Sequence, residues 1–336
     1  MLGVSRLGKD IQTSVKKACS STETAPKRKH VRACIVYTWD RKSSRAFWDS
    51  IKMLPIQENE IQIFKALITI HKVCQEGHPS CLAGAYRNIP WIESLGRYKS
   101  PDGQSRYERL IHEYTSYLVQ KSRFHHDHRG FNGTFEYKEY ISLIAVSDPN
   151  EGYQNIIDLE DLQDSLDNLG RLVLASASQN RGNECMTSAL VPLVAESYGI
   201  YKFQISMLRA MYSSSSSPEA LEPLKERFDE QHHRLYDFYA DCSSIRYLTS
   251  LITIPKLPVE PPNLLVGDDD NASGVDSQGV KEMPSVSTSP SIDSSSDSRL
   301  AGRSGSAAVQ QTGAVANAFD IRQKKYEQQQ SEFARQ

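Results

Sequence analysis

No stretch of the 336 residues approaches the ~20 uninterrupted apolar residues that a membrane span requires. The opening segment, MLGVSRLGKDIQTSVKK, has too short and too charged an apolar part for a secretory signal. The six cysteines, Cys19, Cys34, Cys74, Cys81, Cys185 and Cys242, include no C-x-x-C pair, and several fall among apolar residues. The expectation is an intracellular chain with buried free thiols rather than a disulfide framework. The sequons at Asn132 and Asn271 then carry no sugar. Strand-like alternation is scarce, and no strict internal repeat is present. Nucleophile elbows, glycine-rich phosphate loops and paired acid/base carboxylates are also missing. The nearest approach, Gly302 to Ser306, departs from G-x-S-x-G. An enzyme is therefore not expected, and no cofactor or metal is assigned.

With 39% hydrophobic and 24% charged residues, the chain suits one or two domains with an ordinary core, plus tails. Apolar residues recur at three- and four-residue spacing through the first 255 residues, which predicts an all-α protein. Val4, Leu7, Ile11 and Val15 make the first helical face. Pro26 is placed to be the first residue of a second helix that turns Val31, Cys34 and Ile35 inward. SSRAFWDSIKML, ending at Pro55, gives a third. ENEIQIFKALITIHKVCQEG, with Ile61, Phe64, Leu67, Ile68 and Val73 on one broad face and Gly77 as its stop, is apolar enough for the middle of a bundle. Further helices are read in SRYERLIHEYTSYLVQKSRF, DLEDLQDSLDNLGRLVLASAS, CMTSALVPLVAESYGIYKFQISMLRAMY and PEALEPLKERFDEQHHRLYDFYADC. Short connections favour antiparallel neighbours stacked into an irregular superhelical solenoid.

From 267 to 314 the composition shifts to Ser, Asp, Gly and other small residues, which cannot bury enough apolar surface to offset their ordering entropy. The expected organisation is a helical domain over 1–258, a disordered linker over 259–314 and the start of a coiled coil over 315–336. The last rests on Phe319, Tyr326 and Phe333 at seven-residue spacing. LLVGDD, at 264–269, has Gly267 where a clathrin-box peptide needs an apolar residue, and it is set aside.

Two histidine clusters invite a metal reading. In RFHHDHRG the residues His125, His126, Asp127 and His128 are adjacent, so their side chains point apart, and a polar turn is the expectation. His232 and His233 are helical neighbours and face apart in the same way.

Charge is unevenly spread. Residues 1–52 hold twelve Lys and Arg against four Asp and Glu, a balance of +8, which leaves −10 for the remainder. Lys17 at the end of one helix, with Lys27, Lys29 and His30 at the start of the next, converge on a site suited to multivalent phosphate, where a helix N-terminus adds its own field. Charge alone leaves nucleic acid, membrane and acidic protein open as partners. No aromatic platform is interleaved with these residues, which argues against nucleic acid. The alternative to a membrane is a helical-repeat scaffold whose basic end binds an acidic protein or RNA.

Lys17, nine residues, Lys27, one residue, Lys29 and His30 is similar to the K-x9-K-x-(K/R)-(H/Y) signature by which ANTH domains of endocytic clathrin adaptors bind phosphatidylinositol 4,5-bisphosphate. KALITIHKVCQEGHPSCL, YTSYLVQKSRFH and the closing FYADCSSIRYLTSLITIPKLP also resemble that family, over about residues 1–260. The likeness is greatest to the Huntingtin-interacting-protein-related, actin-linking adaptors. The resemblance implies a right-handed helical solenoid and a peripheral protein at endocytic sites of the plasma membrane. It implies phosphoinositide contacts from Lys17, Lys27, Lys29 and His30, with secondary basic contacts from Lys16, Arg28, Arg6 and Lys9. It also implies co-assembly with an epsin ENTH domain, homodimerisation through the coiled coil, and clathrin light chain and actin contacts through regions outside this chain.

Overall fold

The computed structural model describes the backbone over 6–265, apart from Asp102, Arg181 and Ser216, and side chains from Asp10 onward. The called linker beyond 265, the coiled-coil segment 315–336 and Val4 lie outside the described residues.

Thirteen α-helices, one short 3-10 turn and no strand make up the described residues. The N-terminal group is α1 (Arg6–Ala18), α2 (Arg28–Arg41), α3 (Arg45–Lys52), α4 (Glu60–Glu76), α5 (Ser80–Arg87) and α6 (Ile89–Leu95). The middle is α7 (Glu108–Asp127), α8 (Glu139–Ala145) and α9 (Pro149–Gln179). The chain continues through α10 (Glu184–Thr187), α11 (Leu190–Ser214), the 3-10 turn Pro218–Leu221, α12 (Glu222–Ser244) and α13 (Arg246–Thr249). The arrangement is the expected all-α solenoid. In it, α1 packs on α2 and α3, α4 on α2 and α7, α7 on α9, and α9 on α11 and α12.

The central position read for the fourth helix follows from its composition. Phe64, Ala66, Leu67, Ile70 and Val73 of α4 are all fully buried, and Asn59 caps its start by accepting from the Gln62 amide at 3.0 Å. Each large apolar side chain removed from water contributes roughly 1.5–3 kcal/mol. At the far end of the slab, Asp148 accepts from the Asn150 and Glu151 amides at 2.8 and 3.2 Å and starts α9.

Three expectations are corrected. Pro26 is not the first helical residue. It is buried, Lys27 is the N-cap with extended backbone (φ −63°, ψ 113°), and α2 begins at Arg28. Docking the proline ring holds the chain extended for one residue more than its helical φ preference alone would suggest. RFHHDHRG is not a polar turn, because α7 runs through Asp127 and carries His125 into the core, 5% exposed. Finally, packed chain extends beyond 258. Leu264 is 3% exposed, and the His232 imidazole Nε2 lies 3.0 Å from the Pro258 carbonyl, so the segment after α13 runs back against α12. Proline-rich sequence reads as linker, yet single apolar side chains on it find places in the core.

All six cysteines are free and buried, with burial pushing the Cys19, Cys34 and Cys242 thiols up to about 12. Among the described residues no helix is long and apolar enough to cross a membrane.

Candidate functional site

Lys16 and Lys17 occupy the last turn of α1, where cations complement the helix dipole, and both are exposed. The chain leaves α1 at Ala18, whose side chain is buried with Cys19, crosses residues 20–25, and re-enters a helix at Arg28 after the N-cap Lys27. The Lys27 carbonyl accepts from the His30 and Val31 amides at 2.9 and 3.3 Å. No side chain caps this helix start, which stands beside Lys27 and Lys29, and a helix start carries N–H groups without intrahelical partners.

The four signature residues are brought together. The half-buried His30 imidazole is held below its ordinary value, first by desolvation and then by the positive charges of Lys29, Lys17 and Lys27. One ring thus senses all three lysines, from a helix end, an N-cap and a helix start. Lys17, Lys27 and Lys29 are exposed and make no ion pair among the described residues. Like charges grouped without a counterion repel one another at a few kT, and an anion relieves that cost.

The secondary residues divide. Arg28 lies near Tyr247, whose phenol is pushed up by burial and by Glu184 and is opposed by Arg28, so this guanidinium is directed toward α13. Lys16 is exposed beside Lys17. Arg6 and Lys9 stand on the first turns of α1, and their side chains lie outside the described residues.

Beneath the patch lie residues that the sequence reading passed over. The Lys65 ammonium, 1% exposed, donates to Ser20 Oγ at 2.8 Å and to the Thr22 carbonyl at 3.1 Å. Gln62 Nε2 donates to the Cys19 carbonyl at 3.0 Å. Glu23 is the only acid from Lys16 to Lys29, and it turns away from the lysines. It accepts from Tyr107 Oη at 2.9 Å, Asn183 Nδ2 at 2.6 Å and Arg106 Nη2 at 3.1 Å. Desolvation works against its charge, yet these donors hold the carboxyl below the ordinary glutamate value. A lysine between Phe64 and Ala66, on a helix otherwise apolar there, was the signal available for Lys65.

The other polar cluster is sealed in the core. Glu196 is fully buried between Lys121 at 2.8 Å, His71 Nε2 at 2.9 Å, Gln75 Nε2 at 2.6 Å and the Tyr117 hydroxyl. Burial opposes its ionisation, but Lys121 and His71 outweigh that and hold the carboxyl well below the usual range. Lys121 spends its remaining donors on the Gly133 carbonyl at 2.8 Å and His125 at 3.1 Å. A Cβ on Gly133 would stand 2.0 Å from the Cys74 carbonyl, so only glycine lets the loop approach this closely. The network joins α4, α7 and α11, and its charged side chains are at most 2% exposed. The other histidines of the string have separate partners: His126 stacks on Tyr86 at 3.7 Å, and His128 pairs with Asp158 at 2.8 Å.

The ANTH domain family model matches residues 10–273. The chain is 57% identical to Protein SLA2 of Saccharomyces cerevisiae over 289 residues, 84% of this chain and 29% of that protein. It is 54% identical to Endocytosis protein end4 of Schizosaccharomyces pombe over 260 residues, 77% of this chain and 24% of that one. Huntingtin-interacting protein 1 of Homo sapiens is 27% identical over 259 residues, 75% of this chain and 25% of the human protein. The chain therefore spans less than a third of the length of these curated relatives. Among solved structures, it matches a chain from the ENTH domain of epsin-2 in complex with phosphatidylinositol 4,5-bisphosphate, with TM-score 0.73 and 58% identity over 76% of this chain and 100% of that chain. It also matches a chain of the endocytic adaptor complex AENTH, with TM-score 0.67 and 60% identity over 75% of this chain and 100% of that one. A third match is a chain of the helical ANTH and ENTH tubules on PI(4,5)P2-containing membranes, with TM-score 0.61 and 60% identity over 76% of this chain and 96% of that one.

Proposed function

The chain belongs to the ANTH domain family, and on that premise we propose that it is the membrane-binding part of an endocytic adaptor that recognises phosphatidylinositol 4,5-bisphosphate through Lys17, Lys27, Lys29 and His30. The observation that carries the reading is the convergence of three exposed lysines on His30, with no carboxylate pairing them among the described residues. Lys17 and Lys27 bracket one phosphate position. Lys29, His30 and the uncapped start of α2 supply donors to a second. The site is an open surface, so the lipid head group binds without leaving the bilayer plane. Lys16 adds to the field from the neighbouring turn.

Each basic residue near an anionic leaflet contributes about 1 kcal/mol, so one patch holds the membrane weakly and reversibly. Stable recruitment needs several patches acting together. Co-assembly with an epsin-type ENTH domain supplies them in this reading, with Arg6 and Lys9 at the contact. Support comes from the likeness to chains of the AENTH complex and of ANTH and ENTH tubules on PI(4,5)P2-containing membranes. Homodimerisation through 315–336 would add a second patch, and the link to clathrin light chain and actin falls to regions beyond this chain. The place of action is the cytoplasmic face of the plasma membrane.

Co-sedimentation with vesicles matched in total charge, carrying either phosphatidylinositol 4,5-bisphosphate or phosphatidylserine, tests the reading. Preferential pelleting with the bisphosphate is expected. Equal pelleting with both would favour a general basic surface. Native mass spectrometry of this chain mixed with an ENTH domain, with and without the lipid, tests co-assembly. Separate monomers under both conditions would remove that part and leave membrane binding intact.

A further inference from the structure

The loop that joins the two halves of the proposed phosphate site is held from two sides by groups that never face a ligand. From below, the buried Lys65 ammonium bonds Ser20 Oγ and the Thr22 carbonyl. It has no carboxylate at ion-pair distance among the described residues. A buried ammonium without a counterion is costly, and Met or Leu would fill the same place on an apolar helix at no such cost. Burial first, and then the charge of Lys27, hold the Lys65 ammonium below the ordinary lysine value, so the buried and the surface lysine share one field.

From the side, Glu23 is tied down. Left free, a carboxylate in a short loop between Lys17 and Lys27 would pair with either and cancel part of the patch. Instead Tyr107, Asn183 and Arg106 take both its oxygens, and Arg106 is itself braced by Asn180 at 3.3 Å. Tyr107 Oη and Asn183 Nδ2 also meet at 3.1 Å, which closes the ring of donors.

We infer that Lys65 and Glu23, with Tyr107, Asn183 and Arg106, form a clamp that fixes residues 20–25, so that Lys17 and Lys27 stand at a set separation for a pair of phosphates while the one local acid is kept off the lysines. These are positioning residues; the contacts to phosphate remain those of Lys17, Lys27, Lys29 and His30. Fixing a site before the ligand arrives removes the ordering cost from binding, and it does so only for a ligand whose charges match the fixed spacing. Diffuse anionic charge gains nothing from the spacing. The clamp therefore sets the preference for a polyphosphorylated inositol head group over an equal charge of phosphatidylserine. This inference rests on the proposed assignment of the phosphate site.

The test uses the full chain and four variants: Glu23→Ala, Tyr107→Phe, Lys65→Met, and Lys27→Glu combined with Lys29→Glu. Binding is measured to vesicles of phosphatidylinositol 4,5-bisphosphate, to phosphatidylserine vesicles of equal charge, and to soluble inositol 1,4,5-trisphosphate and inorganic phosphate. The clamp variants are expected to lose preference for the bisphosphate over phosphatidylserine by about tenfold, with phosphatidylserine binding within about twofold of the parent. Inositol trisphosphate binding should fall in parallel, and inorganic phosphate should bind the parent and variants equally weakly. Amide exchange over 19–27 should quicken in the free clamp variants. Should Lys65→Met fail to fold, Glu23→Ala and Tyr107→Phe decide the matter. If these keep the parental preference, or if removing the acid at 23 simply strengthens binding to both lipids, the clamp is overturned. If instead the double lysine variant still binds the bisphosphate, the site assignment itself fails, and that outcome is separate.

Discussion

Lys121 and Glu196 meet at 2.8 Å with side chains 2% and 0% exposed, so this pair of opposite charges lies where water does not reach. Every donor of the ammonium and both oxygens of the carboxylate are engaged. Removing one partner of such a pair leaves an uncompensated buried charge, at a cost of about 3–5 kcal/mol. Lys121→Met is expected to lower the denaturant midpoint accordingly, whereas the double change to Lys121→Met with Glu196→Leu should recover part of the loss. A double-mutant cycle in urea checks this; additive losses would mean that the two groups are not coupled.

Lys27→Glu with Lys29→Glu should abolish binding to bisphosphate vesicles while leaving helical circular dichroism and Tm nearly unchanged, because exposed side chains away from special contacts change stability by no more than about 0.5 kcal/mol. Parental binding should weaken with added salt, since exposed charges are screened over about 10 Å at 0.1 M. Vesicle co-sedimentation across a salt series reads both.

Binding should depend on pH through His30. In the free protein its imidazole is held below the ordinary value by desolvation and then by three lysines. A bound phosphate pair offsets those lysines and raises it. The complex then holds more protons than the free protein between the two values, and affinity rises as the pH falls through that window. His30→Gln should remove the part of the pH dependence that the parent shows beyond the head group's own phosphate titration; a parental profile in that variant would assign the titration elsewhere.

Glu160 gives a pH effect of the same sense, on stability. Among the described residues neither of its carboxylate oxygens accepts a hydrogen bond, and burial pushes its pKa up to about 8, with Arg227 at 3.7 Å opposing and Asp164 and Asp161 adding. A carboxyl raised in the folded state stabilises most below its unfolded value and loses that contribution as the pH climbs through the folded one. Stability should therefore decline from about pH 4.5 toward pH 8. Glu160→Gln should remove this decline, as urea midpoints at pH 5, 7 and 8.5 would show.

Ending the chain at Leu257 is expected to lower Tm by several degrees, because it removes Leu264 from the core and the Pro258 carbonyl from His232. Ending it at 266 keeps both contacts and should melt above the form that ends at Leu257. Equal melting of the two forms would show that the segment after α13 contributes nothing.

The pattern of apolar residues was enough to place α4 at the centre, since a face as broad as Ile61, Phe64, Leu67, Ile68 and Val73 has nowhere else to go. The basic signature was equally legible, because the four residues lie within fourteen positions and their meeting needs only one loop between two helices. What holds that loop was not legible. Glu23 finds Tyr107 and Asn183 at sequence separations of 84 and 160, and no local pattern reports contacts of that range. The limit at 258 failed for a related reason: a proline-rich segment that docks through Ile254 and Leu264 has no periodicity to read.

The bond between Glu23 and Asn183 also sets an order of events in time. Protein synthesis adds about 5–20 residues each second, so Asn183 is joined to the chain roughly 8–32 s after Glu23. Throughout that interval the nascent chain already displays its lysines, while the partner that closes their loop has not been made. On the proposed reading, the loop between Lys17 and Lys27 is closed only once α10, whose N-cap is Asn183, has been translated and docked, so the proposed phosphate site matures late in synthesis.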